Sequence, residues 1–174
     1  MPQALLTSPE EYLATSYEDG DREFVDGELM EVNVGEIDHG TIQMAISSWF
    51  FTRRRQLDLF PITEVRTRVS ATRVRLPDVA IVKGDRPTGR ILTEPPFLVV
   101  EILSPEDRVS RMETRIDDYL QFGVEWIWLI DPKTGNGHIY TAQNRIPVTD
   151  GIYRTTSPAV EMDFGQLFDS EADK

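Results

Sequence analysis

Cysteine is absent from the 174 residues, which excludes disulfide bonds and thiolate metal sites. Long apolar runs are absent as well: none approaches the ~20 residues that a membrane-spanning helix needs. The N-terminus lacks the basic start and the apolar stretch of a signal peptide. Histidine is scarce, with only His39 and His138, so Ser104 has no histidine nearby in the sequence that could activate it as a nucleophile. These absences predict a cytoplasmic protein that does not contact a membrane.

Lysine is also scarce, with three residues against fifteen arginines. The net charge of −12 argues against a general nucleic-acid binder. The charge is unevenly distributed, however, because residues 53–90 carry ten basic and four acidic side chains while the segments on both sides are acidic. Two interpretations of this basic segment stay open. It forms either a local patch that faces phosphates or a solvated helix end and strand face.

Hydrophobic periodicity and turn residues predict the secondary structure. In the N-terminal part we expect a short helix after Ser8-Pro9 and a hairpin with an Asp26-Gly27 turn. A longer helix is expected over 38–56, with Asp38 as its N-cap. Further on, we expect strands near 60–69, 73–83, 97–103 and 125–131, and short strands between 137 and 162. A second capping box at Ser110 and Glu113 predicts another helix, which Gly123 ends.

This order predicts an α/β fold with a mixed central sheet. Its core consists of a helix, three strands, a helix and a strand, over residues 38–131. A helix and a hairpin precede this core, and short strands follow it. The chain length favours a single domain over residues 1–174.

Two acidic residues lie where they are costly to bury. Glu101 interrupts an apolar run, Phe97–Leu103, that has the composition of a buried strand. Asp78 follows Pro77 and begins another apolar strand. If the two strands are neighbours, both carboxylates can bind one hard divalent cation. Arg115, on the helix after the Glu101 strand, is the candidate group to stabilise negative charge on a bound phosphate.

An ordered series of motifs runs through residues 8–140. It comprises Arg22–Leu29, His39, Leu76–Val79, Val100–Pro105, Tyr119, Gly123-Val124 and Trp128–Pro132. In this order the motifs resemble the Uma-type restriction endonuclease family of the PD-(D/E)XK nuclease superfamily.

The resemblance implies a restriction-endonuclease-like core that hydrolyses DNA phosphodiester bonds with Mg²⁺ or Mn²⁺, in a homodimer. Asp78 and Glu101 match the two acids of the motif and are the expected catalytic and metal-binding pair. Glu23 and Glu28 match family acids and are candidates for a further metal ligand. His39 also has a family match and is a candidate catalytic residue.

The sequence departs from the superfamily at the lysine that follows the second acid by two residues. Leu103 occupies that position, and Arg115, four residues before Tyr119, stands where this family carries a lysine on the helix. Arginine can hold a phosphate but cannot exchange a proton at ordinary pH. Two functions therefore stay open: a metal-dependent endonuclease, or a catalytically inactive module of the same fold that binds a protein or nucleic acid. In the second case Glu101 and Arg115 form a buried ion pair.

Overall fold

A computed structural model of the chain describes residues 8–18, 20–32 and 36–168. Its helices are α1 (Pro9–Ala14), α2 (Ile37–Leu57) and α3 (Val109–Phe122), with a 3₁₀ turn at Phe164–Gln166. Its strands are β1 (Arg22–Val25), β2 (Glu28–Glu31), β3 (Leu59–Thr63), β4 (Thr67–Ser70), β5 (Arg73–Arg75), β6 (Val79–Lys83), β7 (Leu98–Ile102), β8 (Trp126–Ile130), β9 (Gly137–Tyr140), β10 (Arg145–Val148), β11 (Ile152–Thr155) and β12 (Val160–Asp163). None of these helices is both long enough and apolar enough to cross a membrane.

The central sheet has the strand order β10-β9-β8-β7-β6-β3. It is mixed, because β7 and β8 run parallel while the other neighbours are antiparallel. The helices and strands around it follow the order α2, β3, β6, β7, α3, β8, which confirms the predicted α/β core. The remaining strands form a four-stranded sheet of order β2-β1-β5-β4 and the pair β11-β12.

The two long helices cover opposite faces of the central sheet. From α2, Ile42, Ile46 and Phe50 pack against one face of β6, β7 and β8. From α3, Met112, Ile116 and Tyr119 pack against the other face, together with Val99, Ile127 and Leu129. Alternate residues of β7 therefore point to different helices. Since Glu101 lies two residues after Val99, its side chain points to α3.

The predicted strands at 60–69 and 73–83 are each wrong in extent. Each is two strands in two different sheets: β3 and β4 in the first case, β5 and β6 in the second. Glu64, with a left-handed backbone (φ 48°), interrupts the first strand. Pro77 lacks the backbone N–H that a continuous ladder would need, and it separates β5 from β6. These breaks let a second sheet form beside α3.

Both predicted N-caps of the long helices are also wrong. α2 begins at Ile37 with Glu36 at the N-cap position, and Asp38 lies in the first turn, where its charge favours the helix dipole. α3 begins at Val109 after Arg108, so Ser110 is already helical. The chain turns before α3 because the Asp107 side chain accepts a hydrogen bond from the Ser104 backbone. The predicted end of α3 at Gly123 is confirmed, with Gly123 at φ 109°.

Candidate active site

Asp78 and Glu101 come together at one end of two neighbouring strands. In the antiparallel pair β6–β7, Val79 lies opposite Val100, so the next step along the register places Asp78 opposite Glu101. Asp78 Oδ2 accepts a hydrogen bond of 2.7 Å from the backbone N–H of Ile102. This bond ties the start of β6 to the end of β7. The condition for a shared cation, that the two acid-bearing strands are neighbours, is met.

Glu101 is only 1% exposed, and both of its carboxylate oxygens have partners on α3. Arg115 Nη1 donates to Oε2 at 3.1 Å, and the Tyr119 hydroxyl donates to Oε1 at 2.7 Å. Burial nevertheless raises the pKa of Glu101; Arg115 opposes this effect and the negative charge of Asp78 adds to it. The carboxylate thus has less positive charge around it than full ionisation needs, and an additional cation would favour its charged form.

His39 and Gln43, one helical turn apart on α2, hold Asp78 from the other side. His39 Nε2 lies 3.2 Å from Asp78 Oδ2, and Gln43 donates to the backbone oxygen of Asp78 at 2.9 Å. The hydrogen bond to Asp78 raises the pKa of His39, burial opposes this effect, and the charges of Glu101 and Asp107 add to it. These two contacts hold the N-terminal part of α2 against the start of β6.

A narrow cleft opens at this point of the molecule. It is lined by Val32, His39, Asp78, Ile102, Ser104, Asp107 and Arg115. Next to it, and sharing Asp107 and Arg115, lies a cavity of about 220 Å³. Arg75, Arg108 and Arg111 also line this cavity, as do Glu23, Glu31 and Glu106. Arg108, Arg111 and Arg115 thus face one cavity.

The two other predicted acids lie differently. Glu23, on β1, is 2% exposed and accepts hydrogen bonds from Arg75 at 2.8 Å and from Arg115 at 3.4 Å. It reaches Glu101 only through the guanidinium of Arg115. Glu28 is exposed on β2 and is not among the described residues that line the cleft. Their assignment as metal ligands stays a prediction.

At this site the candidate metal ligands are the two carboxylates of Asp78 and Glu101. Within residues 8–18, 20–32 and 36–168, no group of three histidine or acidic side chains converges in a way that could hold a metal. Asp78 and Glu101 provide carboxylate oxygens, the ligands that hard divalent cations prefer. Mg²⁺ is commonly bound by only one or two carboxylates and completes its shell with water and substrate phosphate. The donor set present at this site is of that kind.

Sequence reasoning missed three contributors to the site. Tyr119 packs in the apolar cluster under α3, and its hydroxyl also donates to Glu101. Its spacing of four from Arg115 indicates that both lie on one helix face. Gln43 and Asp107 carried no comparable signal, because their roles depend on where α2 and the turn before α3 lie. Leu103 packs against the apolar cluster under α3. The position two residues after Glu101, where the resemblance implied a lysine, therefore serves apolar packing.

Known proteins resemble this chain over almost its whole length. A crystal structure described as a putative nuclease belonging to DUF820, from Anabaena variabilis, superposes with a TM-score of 0.80 at 20% sequence identity. The match covers 94% of this chain and 98% of that one, so the two share their fold. No curated protein matches the chain. The family described as Uma2, putative restriction endonuclease, matches residues 9–167. The chain belongs to the Uma2 family.

Proposed function

We propose that this protein is a metal-dependent endonuclease that hydrolyses phosphodiester bonds in DNA. The observation that carries the proposal is the pair of carboxylates, Asp78 and Glu101, on adjacent strand ends beside a cleft that Arg115 also lines. Membership of a family described as restriction endonucleases supports the choice of reaction. Arg108 and Arg111 line the cavity next to the cleft and are cationic groups that a phosphate backbone could contact, although the acidic residues of the same cavity balance their charge.

Asp78 and Glu101 would hold one Mg²⁺ or Mn²⁺, for which their oxygen donors are suited. A cation held by these residues would supply Lewis-acid chemistry, lowering the pKa of water and neutralising charge on phosphoryl oxygens. The raised pKa of Glu101 is consistent with this role, because the folded chain provides that carboxylate with less positive charge than it needs. Glu23 would contribute indirectly, by holding Arg115 in place.

Arg115 and His39 have separate roles in this proposal. The Arg115 side chain is 19% exposed and lines the cleft, where its guanidinium can donate to a phosphate oxygen and stabilise charge that develops there. It takes no part in proton transfer. His39 hydrogen-bonds Asp78 and so orients this carboxylate toward the cleft. Tyr119, whose pKa burial raises well above its ordinary value, stays protonated and orients Glu101 by donating to it.

Cleavage and metal binding of matched variants test the proposal. Asp78→Asn and Glu101→Gln keep the size of the side chains, and each is expected to slow nicking of supercoiled plasmid by about 100-fold or more. Both are also expected to weaken Mn²⁺ binding in calorimetry. Glu125→Gln, which alters an exposed ion pair with Lys83, is the control and retains activity. A wild-type protein that neither binds divalent metal nor cleaves DNA would rule the proposal out.

Two variants of Arg115 test its role as a phosphate-binding group. Arg115→Lys keeps the positive charge and is expected to retain measurable cleavage. Arg115→Gln removes the charge and is expected to lose cleavage while Mn²⁺ still binds. If both variants cleave DNA like the wild type, Arg115 serves only as the structural partner of Glu101.

The alternative is a catalytically inactive module that binds a protein or nucleic acid. One observation favours it: both oxygens of Glu101 already have partners, Arg115 and Tyr119. A structural pair of this kind needs no metal. Calorimetry separates the two functions, since the module shows no carboxylate-dependent metal binding even where DNA binds.

A further inference from the structure

Helix α2 carries apolar side chains on two opposite sides. Its inner face buries Ile42, Ile46 and Phe50 in the core. On its outer face Ile37 is 87% exposed, Met44 66% and Phe51 46%. A helix on the surface of a protein ordinarily has polar residues on its outer face. The three exposed apolar residues are spaced by seven, so they form one row along the helix.

A row of small residues lies beside this apolar row. Gly40 and Ser47 are also spaced by seven, and together with Met44 and Phe51 they line a groove between α2 and the edge strand β3. A Cβ atom added at Gly40 would meet nothing within 4 Å. A glycine inside a helix costs about 1 kcal/mol relative to alanine, and contacts within the described chain do not require one here. Close approach of another backbone would require it.

We propose that this α2 face, formed by Ile37, Gly40, Met44, Ser47 and Phe51, is the interface between two copies of the chain. In the dimer two α2 helices pack antiparallel across a twofold axis near Met44. A seven-residue repeat of large and small residues is the pattern with which two helices interlock side chains. A twofold interface must also be complementary to itself; an axis near Met44 brings Ile37 level with Phe51 of the partner subunit, so the apolar row meets its own copy, and the small residues beside it let the two helices approach closely.

The charges of α2 select an antiparallel pair. Glu36 and Asp38 lie at its N-terminal end, and Arg53, Arg54 and Arg55 lie at its C-terminal end. Antiparallel packing brings the acidic end of each helix to the basic end of the other, whereas parallel packing would bring like charges together. Arg54 stacks on Phe51 at 4.1 Å from the ring centroid, which keeps its positive charge at the end of the apolar row.

The surface next to α2 also favours a helix-to-helix contact. The edge strand β3 carries Pro61, which lacks an N–H donor, so pairing of two β3 strands is disfavoured. Phe60 of β3 contacts Phe51 at 5.9 Å between ring centroids and extends the apolar surface. The row from Ile37 to Phe51 is ~21 Å long. A contact of this length is short, which is typical of small, reversible interfaces.

The oligomeric state of the full chain, measured by sedimentation over a micromolar concentration series, tests the interface. The wild type is expected to dimerise, and Met44→Glu to weaken the dimer about tenfold or more by placing two carboxylates at the axis. The control is Ile146→Glu, which changes another exposed apolar residue on the far edge strand β10 and leaves the dimer intact. Both substitutions are on the surface, so thermal unfolding should be unchanged when it is measured at concentrations where the wild type is monomeric. A monomeric wild type, or a dimer that withstands Met44→Glu, overturns the proposal.

Cross-linking tests the antiparallel orientation, and the absence of cysteine removes any background. Ile37→Cys and Phe51→Cys variants, mixed and oxidised, are expected to form a disulfide-linked heterodimer, while each alone stays largely uncross-linked. Self-cross-linking of each variant indicates a parallel pair and overturns the arrangement. Charge exchange gives an independent readout: Glu36→Arg weakens the dimer, and adding Arg54→Glu in the same chain restores it.

Discussion

Two clusters of arginines and carboxylates meet α3 and differ in how well their charges are matched. The bridge cluster (Glu23, Asp26, Arg73, Arg75, Asp118) joins the four-stranded sheet to α3. The site cluster (His39, Asp78, Glu101, Arg115, Tyr119) joins β6 and β7 to α2 and α3. Both are partly or fully buried, and Arg115 connects them because it lies near Glu23 as well as Glu101.

In the bridge cluster each arginine lies between two carboxylates at short distances. Arg75 is 2.8 Å from Glu23 and 2.6 Å from Asp118, and Arg73 is 2.7 Å from Asp118 and 2.6 Å from Asp26. Such short, charge-assisted bonds compensate desolvation. This cluster has the properties of a structural link.

In the site cluster the ion pairs compensate the desolvation of the carboxylates less fully. Arg115 is shared by Glu101 at 3.1 Å and Glu23 at 3.4 Å, and Asp78 faces a histidine rather than an arginine. The pKa of Glu101 is raised as a result of its burial. The difference teaches that burial of charge alone does not identify a functional site. The informative feature is a buried carboxylate whose negative charge its neighbours balance only in part, so that a further cation would stabilise it.

The largest expected effect is the loss of Arg75. Arg75→Met keeps the length of the side chain but leaves Glu23 and Asp118 buried without their main partner. Breaking a buried ion pair from one side destabilises a protein by about 3–5 kcal/mol, and urea denaturation should show a loss of that order. Arg154→Met is the control. Arg154 forms exposed ion pairs with Asp150 and Glu161, and its loss should leave the midpoint of urea denaturation unchanged. If Arg75→Met and Arg154→Met have equal effects, the bridge cluster contributes no more to stability than exposed ion pairs do.

A smaller effect, of opposite sign, is expected for Glu101→Gln in metal-free buffer. Burial raises the pKa of Glu101 to about 8, so the stability that its neutral form contributes is complete below the ordinary glutamate pKa near 4.3. It is lost as the pH rises toward 8. The glutamine variant does not ionise, so its stability relative to the wild type should rise between pH 5 and pH 8, by at most about 1.4 kcal/mol for each pH unit.

Denaturation curves at several pH values, with EDTA and then with Mg²⁺, check this expectation. Glu101→Gln breaks the ion pair of Glu101 with Arg115, but Arg115 keeps Glu23 as a partner. This remaining pair limits the loss of folding free energy. Added Mg²⁺ should stabilise the wild type at pH 8 and not the variant. If the variant is less stable by the same amount at every pH, Glu101 belongs with the well-matched carboxylates of the bridge cluster.

Much of the fold could be predicted because local patterns and tertiary packing agree. Gly123 ends α3 in the expected left-handed conformation, and the Asp26-Gly27 turn joins β1 to β2 as expected. The errors arose where tertiary contacts decide. The segment around Glu64–Arg66 contains no strong strand breaker, yet Arg66 there bonds Asp21 and the end of α1. This contact holds the chain beside α1 just before β4 begins.

For the site, composition alone marked the unusual residues: a glutamate inside an apolar strand and an aspartate after proline. Their adjacency, confirmed in the β6–β7 pair, needed only the assumption of neighbouring strands. The bridge cluster was not predicted, because Arg73, Arg75 and Asp118 resemble ordinary exposed charges when read along the sequence. Their burial follows from how the second sheet packs on α3, a contact between segments more than forty residues apart.

The smallest effect concerns the histidines, which differ between the two ends of the central sheet. The hydrogen bond with Asp78 raises the pKa of His39, whereas burial and the charge of Arg145 lower the pKa of His138. An NMR titration without metal should therefore show His39 above the ordinary value near 6.5 and His138 below it. The stability that protonated His39 contributes is complete below that value and is lost as the pH rises through its folded-state pKa.

Asp78→Asn should lower the pKa of His39 and leave that of His138 unchanged, because only His39 contacts residue 78. Mg²⁺ should act in the same direction on the wild type, since a cation held by Asp78 opposes protonation of its neighbour. His138, on β9, serves as the internal control for general salt effects. If Mg²⁺ shifts both histidines equally, or neither, Asp78 does not hold the ion. The site cluster would then be, like the bridge cluster, a link between helices and strands.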